Sequence, residues 1–171
     1  QRYHQKIIEE APSSILSYEL RNDMGNAAIE IARAVQYEGV GTIEFLLDRH
    51  SHYYFIEMNT RVQVEHAVTE MISNIDIIKE QIKIAAGYPL QVKQNEIQIR
   101  GHSIECRINA EDPRLGFRPC SGQIKNLHLP GGNGVRIDTA IFSGYFVPPY
   151  YDSMLAKIIV HDSDRISAIN K

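Results

Sequence analysis

The sequence predicts an α+β fold in two successive parts, on three observations. Apolar residues recur at helical spacing in two stretches before Pro89. Between those stretches, two runs rich in β-branched and aromatic residues are split by a short polar segment. After Pro89 the chain turns to short alternating segments separated by Gly, Pro and Asp, the pattern of a mainly antiparallel sheet.

Residues 18–37 carry Ile29, Ala32 and Val35 on one side and stop at Gly39, which suits the position just past a helix end. Residues 40–48 and 52–59 read as a hairpin. Ile77, Ile78, Ile82 and Ala85 then return to helical spacing over residues 76–86, closed by Gly87 and Pro89. Four segments, HSIECRIN (102–109), GQIKNLHL (122–129), GVRIDTAI (134–141) and MLAKIIVH (154–161), read as strands, and a helix begins near Asp164. The change of character places a domain boundary near residues 90–100.

Eighteen basic against 21 acidic residues leave no broad electrostatic footprint, so neither nucleic acid nor an anionic membrane is expected as a partner. An anionic ligand must be met by a local cluster. Cys106 and Cys120 form no disulfide framework and lack metal-ligand spacing, which suits a reducing cytoplasm. The chain opens on Gln1, shows no signal-peptide pattern and no bilayer-length apolar run, and stops inside a helical pattern. It is expected to be a cytoplasmic piece of a longer protein.

The chemistry concentrates around the hairpin. A two-residue loop at His50 and Ser51 pairs Glu44 directly with Glu57, and like charges so placed favour a cation between them. Mg²⁺ fits, because it takes oxygen ligands from one or two carboxylates plus substrate phosphates. A three-residue loop breaks the direct pairing but keeps the acids near each other. If the backbone stays extended past Glu57, then Glu57, Asn59, Arg61, Gln63 and Glu65 share one polar face, suited to metal, phosphate and a small anion. Arg61 can grip a planar carboxylate or carbonate through paired hydrogen bonds, and a desolvated Glu65 can take a proton. The alternative is a solvated edge strand.

In HSIECRIN, alternation puts His102, Ile104, Cys106 and Ile108 on an apolar face and Ser103, Glu105, Arg107 and Asn109 on a polar one. Cys106 is then a core residue and Arg107 a surface partner of Glu105. PGGNG at 130–134 matches no phosphate-loop pattern and reads as a turn, as does the Pro-rich PPYYDSM. The histidines have no zinc spacing.

The blocks QRYHQKIIEEAP, GTIEF, FIEMNTRVQVEH, RGHSIECRINAEDP and PPYYDSMLAK resemble those of the biotin carboxylases over essentially the whole chain, most closely the stand-alone subunit of bacterial acetyl-CoA carboxylase. The resemblance implies the C-terminal part of an ATP-grasp domain (residues 1–92) followed by a truncated, mainly antiparallel β biotin carboxylase C-terminal domain (100–171). It implies Mg²⁺ or Mn²⁺ on Glu44, Glu57 and Asn59, with His4 and Leu46 near the nucleotide. Bicarbonate falls to Lys6, Arg61, Gln63 and the Val64 amide, with Glu65 as its base. The resemblance makes Arg107 the residue that stabilises the biotin enolate. ATP and bicarbonate are the implied substrates and biotin the acceptor. A biotinylated carrier protein, carboxyltransferase subunits and a second copy of the chain are the implied partners. With the upstream half of the nucleotide cleft absent, the chain alone is expected not to turn over.

Three departures from the family pattern stand out. Ala67 replaces a usual Pro, which is expected to loosen the next segment. RPCSG at 118–122 replaces a PSPG turn, and the hairpin loop is one residue longer. Another ATP-grasp ligase, or a non-catalytic module that keeps the fold, is the rival reading.

Overall fold

The computed structural model describes residues 4–171, so Gln1, Arg2 and Tyr3 of the first block lie outside the described residues. It divides into two compact units: Pro12–Ile99 form one, and the segment ending at Ala11 joins Arg100–Lys171 in the other. Strand β1 (Ile8–Ala11) belongs to the second of these.

The Pro12–Ile99 unit opens with α1 (Tyr18–Ala34), where Ser17 Oγ accepts from Leu20 N at 3.2 Å as the N-cap. The helix ends short of residue 37. Gln36 takes the left-handed conformation there (φ 51°) and so supplies the turn expected at Gly39. Strands β2 (Thr42–Leu47) and β3 (Tyr53–Asn59) form the expected antiparallel hairpin. One face carries Phe45, packed edge-to-face on Tyr53 with centroids 5.3 Å apart, and the Tyr53 hydroxyl donates to Asp23 of α1 at 2.8 Å.

Two helices follow. The first, α2 (His66–Ser73), was not expected, yet it supplies the buried Ala67, Val68 and Ile72. Ala67 is fully buried within the first helical turn. A left-handed Asn74 ends α2, and Asp76 then caps α3 (Ile77–Ala85) by accepting from Lys79 N at 2.8 Å.

In the other unit, β4 (His102–Asn109) is an inner strand. It is followed by the two-residue strands β5 (Glu111–Asp112), β6 (Arg118–Pro119) and β7 (Gly122–Gln123), then β8 (Val135–Thr139), β9 (Phe146–Val147), β10 (Met154–Asp162) and α4 (Arg165–Asn170). The main sheet runs β1-β4-β10-β8, every neighbour antiparallel, while β5 pairs β6 and β7 pairs β9. Of the expected strand at 122–129 only Gly122 and Gln123 form a strand, with Ile124 continuing the backbone pairing to Gly144 and Tyr145. The RPCSG turn spans β6 to β7, and PGGNG turns into β8 with Val135 N donating to Gly132 O at 3.2 Å.

The face of β4 read as polar is the more deeply buried one. Ser103 and Glu105 are fully buried, whereas Ile108 on the opposite face is exposed. An inner strand has both edges paired, but which face is covered depends on what packs over the sheet, so alternation alone cannot name the wet side. The charge is met across the sheet instead. Among the described residues no helix is long and apolar enough to cross a membrane.

Candidate functional site

The hairpin brings Glu44 directly opposite Glu57, as expected, but by a different route. The loop has three residues, Arg49 to Ser51, closed by Asp48 N donating to His52 O at 2.9 Å, with Ser51 left-handed (φ 65°). Asp48 Oδ1 accepts from the amides of His50 (2.7 Å) and His52 (2.9 Å), which fixes the turn. That loop pairs Phe45 with Phe55, and alone it would put Ile56 opposite Glu44. The register shifts by one residue between Glu44 and Phe45, leaving Ile56 as a bulge and returning Glu57 to face Glu44.

Asn59 ties the acids together. Its Nδ2 donates to Glu44 Oε1 at 3.1 Å and to Glu57 Oε1 at 2.9 Å, while its Oδ1 accepts from Arg61 Nη2 at 3.2 Å. Buried Gln63 donates to the same Glu44 oxygen at 2.5 Å. Five of the expected residues thus form one hydrogen-bonded chain: Glu57, Asn59, Glu44, Gln63 and Arg61. Leu46 lies on the same face, exposed, with Tyr54 opposite it.

The backbone does not stay extended beyond Asn59, which corrects the expectation of one long polar strand face. Val64 and Glu65 form a turn, and Glu65 is the N-cap residue of α2 with ψ near 10°. The turn is held by His66, whose Nδ1 lies 2.8 Å from Gln63 O. Glu65 and the Val64 amide therefore stand at the positive end of a helix, a favourable place for a small anion. Glu65 is half-buried and makes no capping bond with its side chain.

The donor set suits a hard divalent cation. Two carboxylates supply oxygen ligands, while Asn59 bridges the acids through its amide nitrogen and turns its oxygen to Arg61, so the amide would have to rotate to offer that oxygen to a metal. Among the described residues no group of three or more His, Cys, Asp and Glu side chains is placed to hold a metal ion.

His4, Lys6 and Arg107 belong to the other unit. His4 is exposed with a left-handed backbone (φ 63°), and Lys6 is exposed. Neither Arg107 nor Glu105 is the surface residue expected: the Arg107 side chain is 18% exposed and Glu105 is fully buried. Its guanidinium meets Glu9 of β1, with Nε at 2.7 Å and Nη2 at 2.5 Å from Oε1, and its backbone N donates to Ile7 O at 3.0 Å. Arg107 also lines a cavity of about 390 Å³ with Ile7, Asn109, Glu111, Pro113 and Phe117. Glu9 escaped the sequence reading because its partner is 98 residues away, and only strand pairing brings them together.

Around this pair the sheet carries a checkerboard of charge. Glu9 lies opposite Glu105, and Arg107 opposite Lys157, which in turn faces Asp138. Arg107 meets Glu9 and Lys157 meets Glu105 (3.9 Å) diagonally across strands, while Arg136 pairs with Asp138 two residues along β8 at 2.8 Å. Cys106 points away from this face. Burial, followed by the charges of Glu9 and Glu105, pushes its thiol pKa up, which agrees with a core role.

Residues 1–93 match the family described as carbamoyl-phosphate synthase L chain, ATP binding domain, and residues 105–171 match the biotin carboxylase C-terminal domain. The biotin carboxylase of a Nostoc species is 54% identical over 171 residues, all of this chain and 38% of the relative. A pyruvate carboxylase subunit from Methanothermobacter thermautotrophicus is 53% identical, again over the whole chain and 35% of the relative. The chain thus spans little more than a third of the length of these curated relatives. Among solved structures, the biotin carboxylase domain dimer of the Hydrogenobacter thermophilus 2-oxoglutarate carboxylase, in complex with MgADP, ADP and bicarbonate, superposes with a TM-score of 0.97 at 49% identity, covering 99% of this chain and 38% of that one. The Campylobacter jejuni biotin carboxylase in complex with βγ-ATP gives 0.95 at 50% identity, covering 99% and 38%.

Proposed function

The chain belongs to the biotin carboxylase family, and on that premise we propose that the whole protein uses MgATP or MnATP and bicarbonate to carboxylate biotin borne on a carrier protein. The observation that carries this reading is the acid pair of Glu44 and Glu57, bridged by Asn59 and continued through Arg61 and Gln63 to Glu65 at a helix start. A solvated edge strand has no reason to link these groups, or to set the last acid at a helix N-terminus.

In this reading residues 1–92 are the C-terminal part of an ATP-grasp domain and 100–171 the start of the biotin carboxylase C-terminal domain. Glu44, Glu57 and Asn59 would hold the metal, which would supply positive charge against the nucleotide phosphates. His4 and Leu46 contact the nucleotide. Lys6, Arg61, Gln63 and the Val64 amide bind bicarbonate, and Glu65 takes its proton. The bicarbonate oxygen attacks the γ-phosphorus, the bond to the β-phosphate oxygen breaks, and carboxyphosphate and ADP result. Carboxyphosphate releases CO₂, its phosphate takes the proton from biotin N1, and N1 attacks CO₂. Arg107 stabilises the enolate oxygen that develops on the ureido group.

The carboxyltransferase partner decides the final acceptor, and an acetyl-CoA carboxylase serving fatty acid synthesis is our preferred assignment. Relatives of similar identity include a pyruvate carboxylase component, so that assignment is the finer part of the proposal. The dimer of the Hydrogenobacter neighbour supports a homodimer, and two free cysteines fit a reducing, cytoplasmic setting. The test is bicarbonate-dependent ADP production by the whole protein, with and without free biotin, in wild type, Glu65→Gln and Arg107→Ala. We expect biotin stimulation in wild type and its loss in both variants. ADP production indifferent to biotin would assign the acceptor elsewhere and favour a different ATP-grasp ligase.

A further inference from the structure

We infer that Glu9 is the positioning residue of Arg107, a role that rests on the reading of Arg107 as the enolate-stabilising group. A free arginine side chain samples many rotamers, and a guanidinium stabilises a developing oxyanion only if its donors are already aimed when charge appears. Here the Nε and Nη2 edge is gripped by one carboxylate oxygen, at 2.7 and 2.5 Å. Both partners are largely shielded, the Arg107 side chain 18% and the Glu9 side chain 9% exposed, so water competes weakly for the contact.

The surroundings hold Glu9 in place. It sits in β1 directly opposite fully buried Glu105, whose charge is met by Lys157, and Lys157 also faces Asp138 at 3.4 Å. Two carboxylates side by side require cations on both flanks, and Arg107 and Lys157 supply them. The guanidinium is therefore fixed by a charge pattern spread across four strands, while the same residue lines the 390 Å³ cavity. That combination of a locked inner edge and a cavity-facing side chain is what preorganisation requires, and Glu9 is the contact that provides the lock.

The experiment is steady-state kinetics on the whole protein with Glu9→Gln, Glu9→Asp, Arg107→Ala and the Glu9→Gln/Arg107→Ala double variant. Glu9→Gln is expected to lower biotin-stimulated kcat by roughly tenfold to a hundredfold, the scale of a misaimed group, with KM for ATP and bicarbonate within about twofold. In the Arg107→Ala background the same change is expected to cost less than about twofold, because nothing remains to position. If Glu9→Gln does not fold, Glu9→Asp carries the test. It keeps the charge but withdraws the carboxylate by one methylene, and it should lower kcat by about threefold or more.

Either Glu9 variant turning over at wild-type rate, an equal loss with and without Arg107, or a loss confined to KM would overturn the assignment. A wild type that never responds to biotin overturns the reading of the reaction together with this inference. A biotin-responsive wild type beside a fully active Glu9→Gln sinks the inference alone.

Discussion

Glu44 and Glu57 face each other across the hairpin, and the Asn59 side chain donates to one oxygen of each. Two like charges in register oppose the pairing that holds them; the amide donors of Asn59 and Gln63 offset part of that repulsion, and a bound cation would offset more.

The first prediction follows from that conflict. Glu57→Gln should leave the hairpin as stable as wild type, or more stable by roughly 0.2 to 1 kcal/mol, because the repulsion is relieved. The same change should weaken Mg²⁺-dependent nucleotide binding by about tenfold or more in the whole protein. Urea unfolding without metal and ATP titration at fixed Mg²⁺ read the two effects separately. Loss of stability together with unchanged nucleotide affinity would make the acids structural partners rather than metal ligands.

Much of this site was legible because it rests on local rules. The β-branched runs at 42–47 and 53–59 are divided by a turn, and alternation places Glu44, Leu46, Glu57 and Asn59 on one face. The bulge at Ile56 was not legible. Nothing in Phe55, Ile56 or Glu57 marks an extra residue, and the three-residue loop needed it to keep Glu57 opposite Glu44. The short α2 was missed because Glu65 offers no capping side chain and eight residues give little periodicity. Glu9 and Lys157 were invisible as partners of the 102–109 strand, since their roles arise from pairing across the sheet.

A second prediction concerns the cysteines. Cys106 is half-buried in an inner strand and its thiol is pushed up by burial, then by the charges of Glu9 and Glu105, while Cys120 is exposed. Alkylation by iodoacetamide near pH 8 should modify Cys120 at least about tenfold faster than Cys106, which should react only after denaturation. Peptide mass spectrometry over time distinguishes them. Equal rates would mean that the β4 strand opens readily.

A third prediction concerns the clasp at the start of the sheet. Glu10 Oε2 accepts from Arg165 Nε of α4 at 2.6 Å and lies 2.8 Å from Nε2 of buried His102. One carboxylate therefore joins β1, β4 and α4. Glu10→Ala removes the partner of a buried imidazole and should cost about 1 to 3 kcal/mol, read as a shift of the urea midpoint. Arg165→Ala breaks only the exposed half of the clasp and should shift the midpoint less than Glu10→Ala does. The reverse order would place the anchoring contact on α4 instead of in the sheet.

The last prediction concerns pH. Burial works against the charge of Asp138, but the Arg136 guanidinium and the Lys157 ammonium outweigh it and hold the carboxyl below its ordinary value of 3.8. A carboxyl whose pKa is lower in the folded state stabilises the fold above the ordinary value. That contribution disappears as pH falls through the folded value. Asp138→Asn should therefore be less stable than wild type at pH 7, and the difference should shrink steadily below pH 3.8. Urea midpoints at several pH values measure it. A gap that stays constant into acid would assign the loss to packing of the asparagine rather than to the missing charge. The checkerboard around Lys157 would then be an accompaniment of the fold instead of one of its supports.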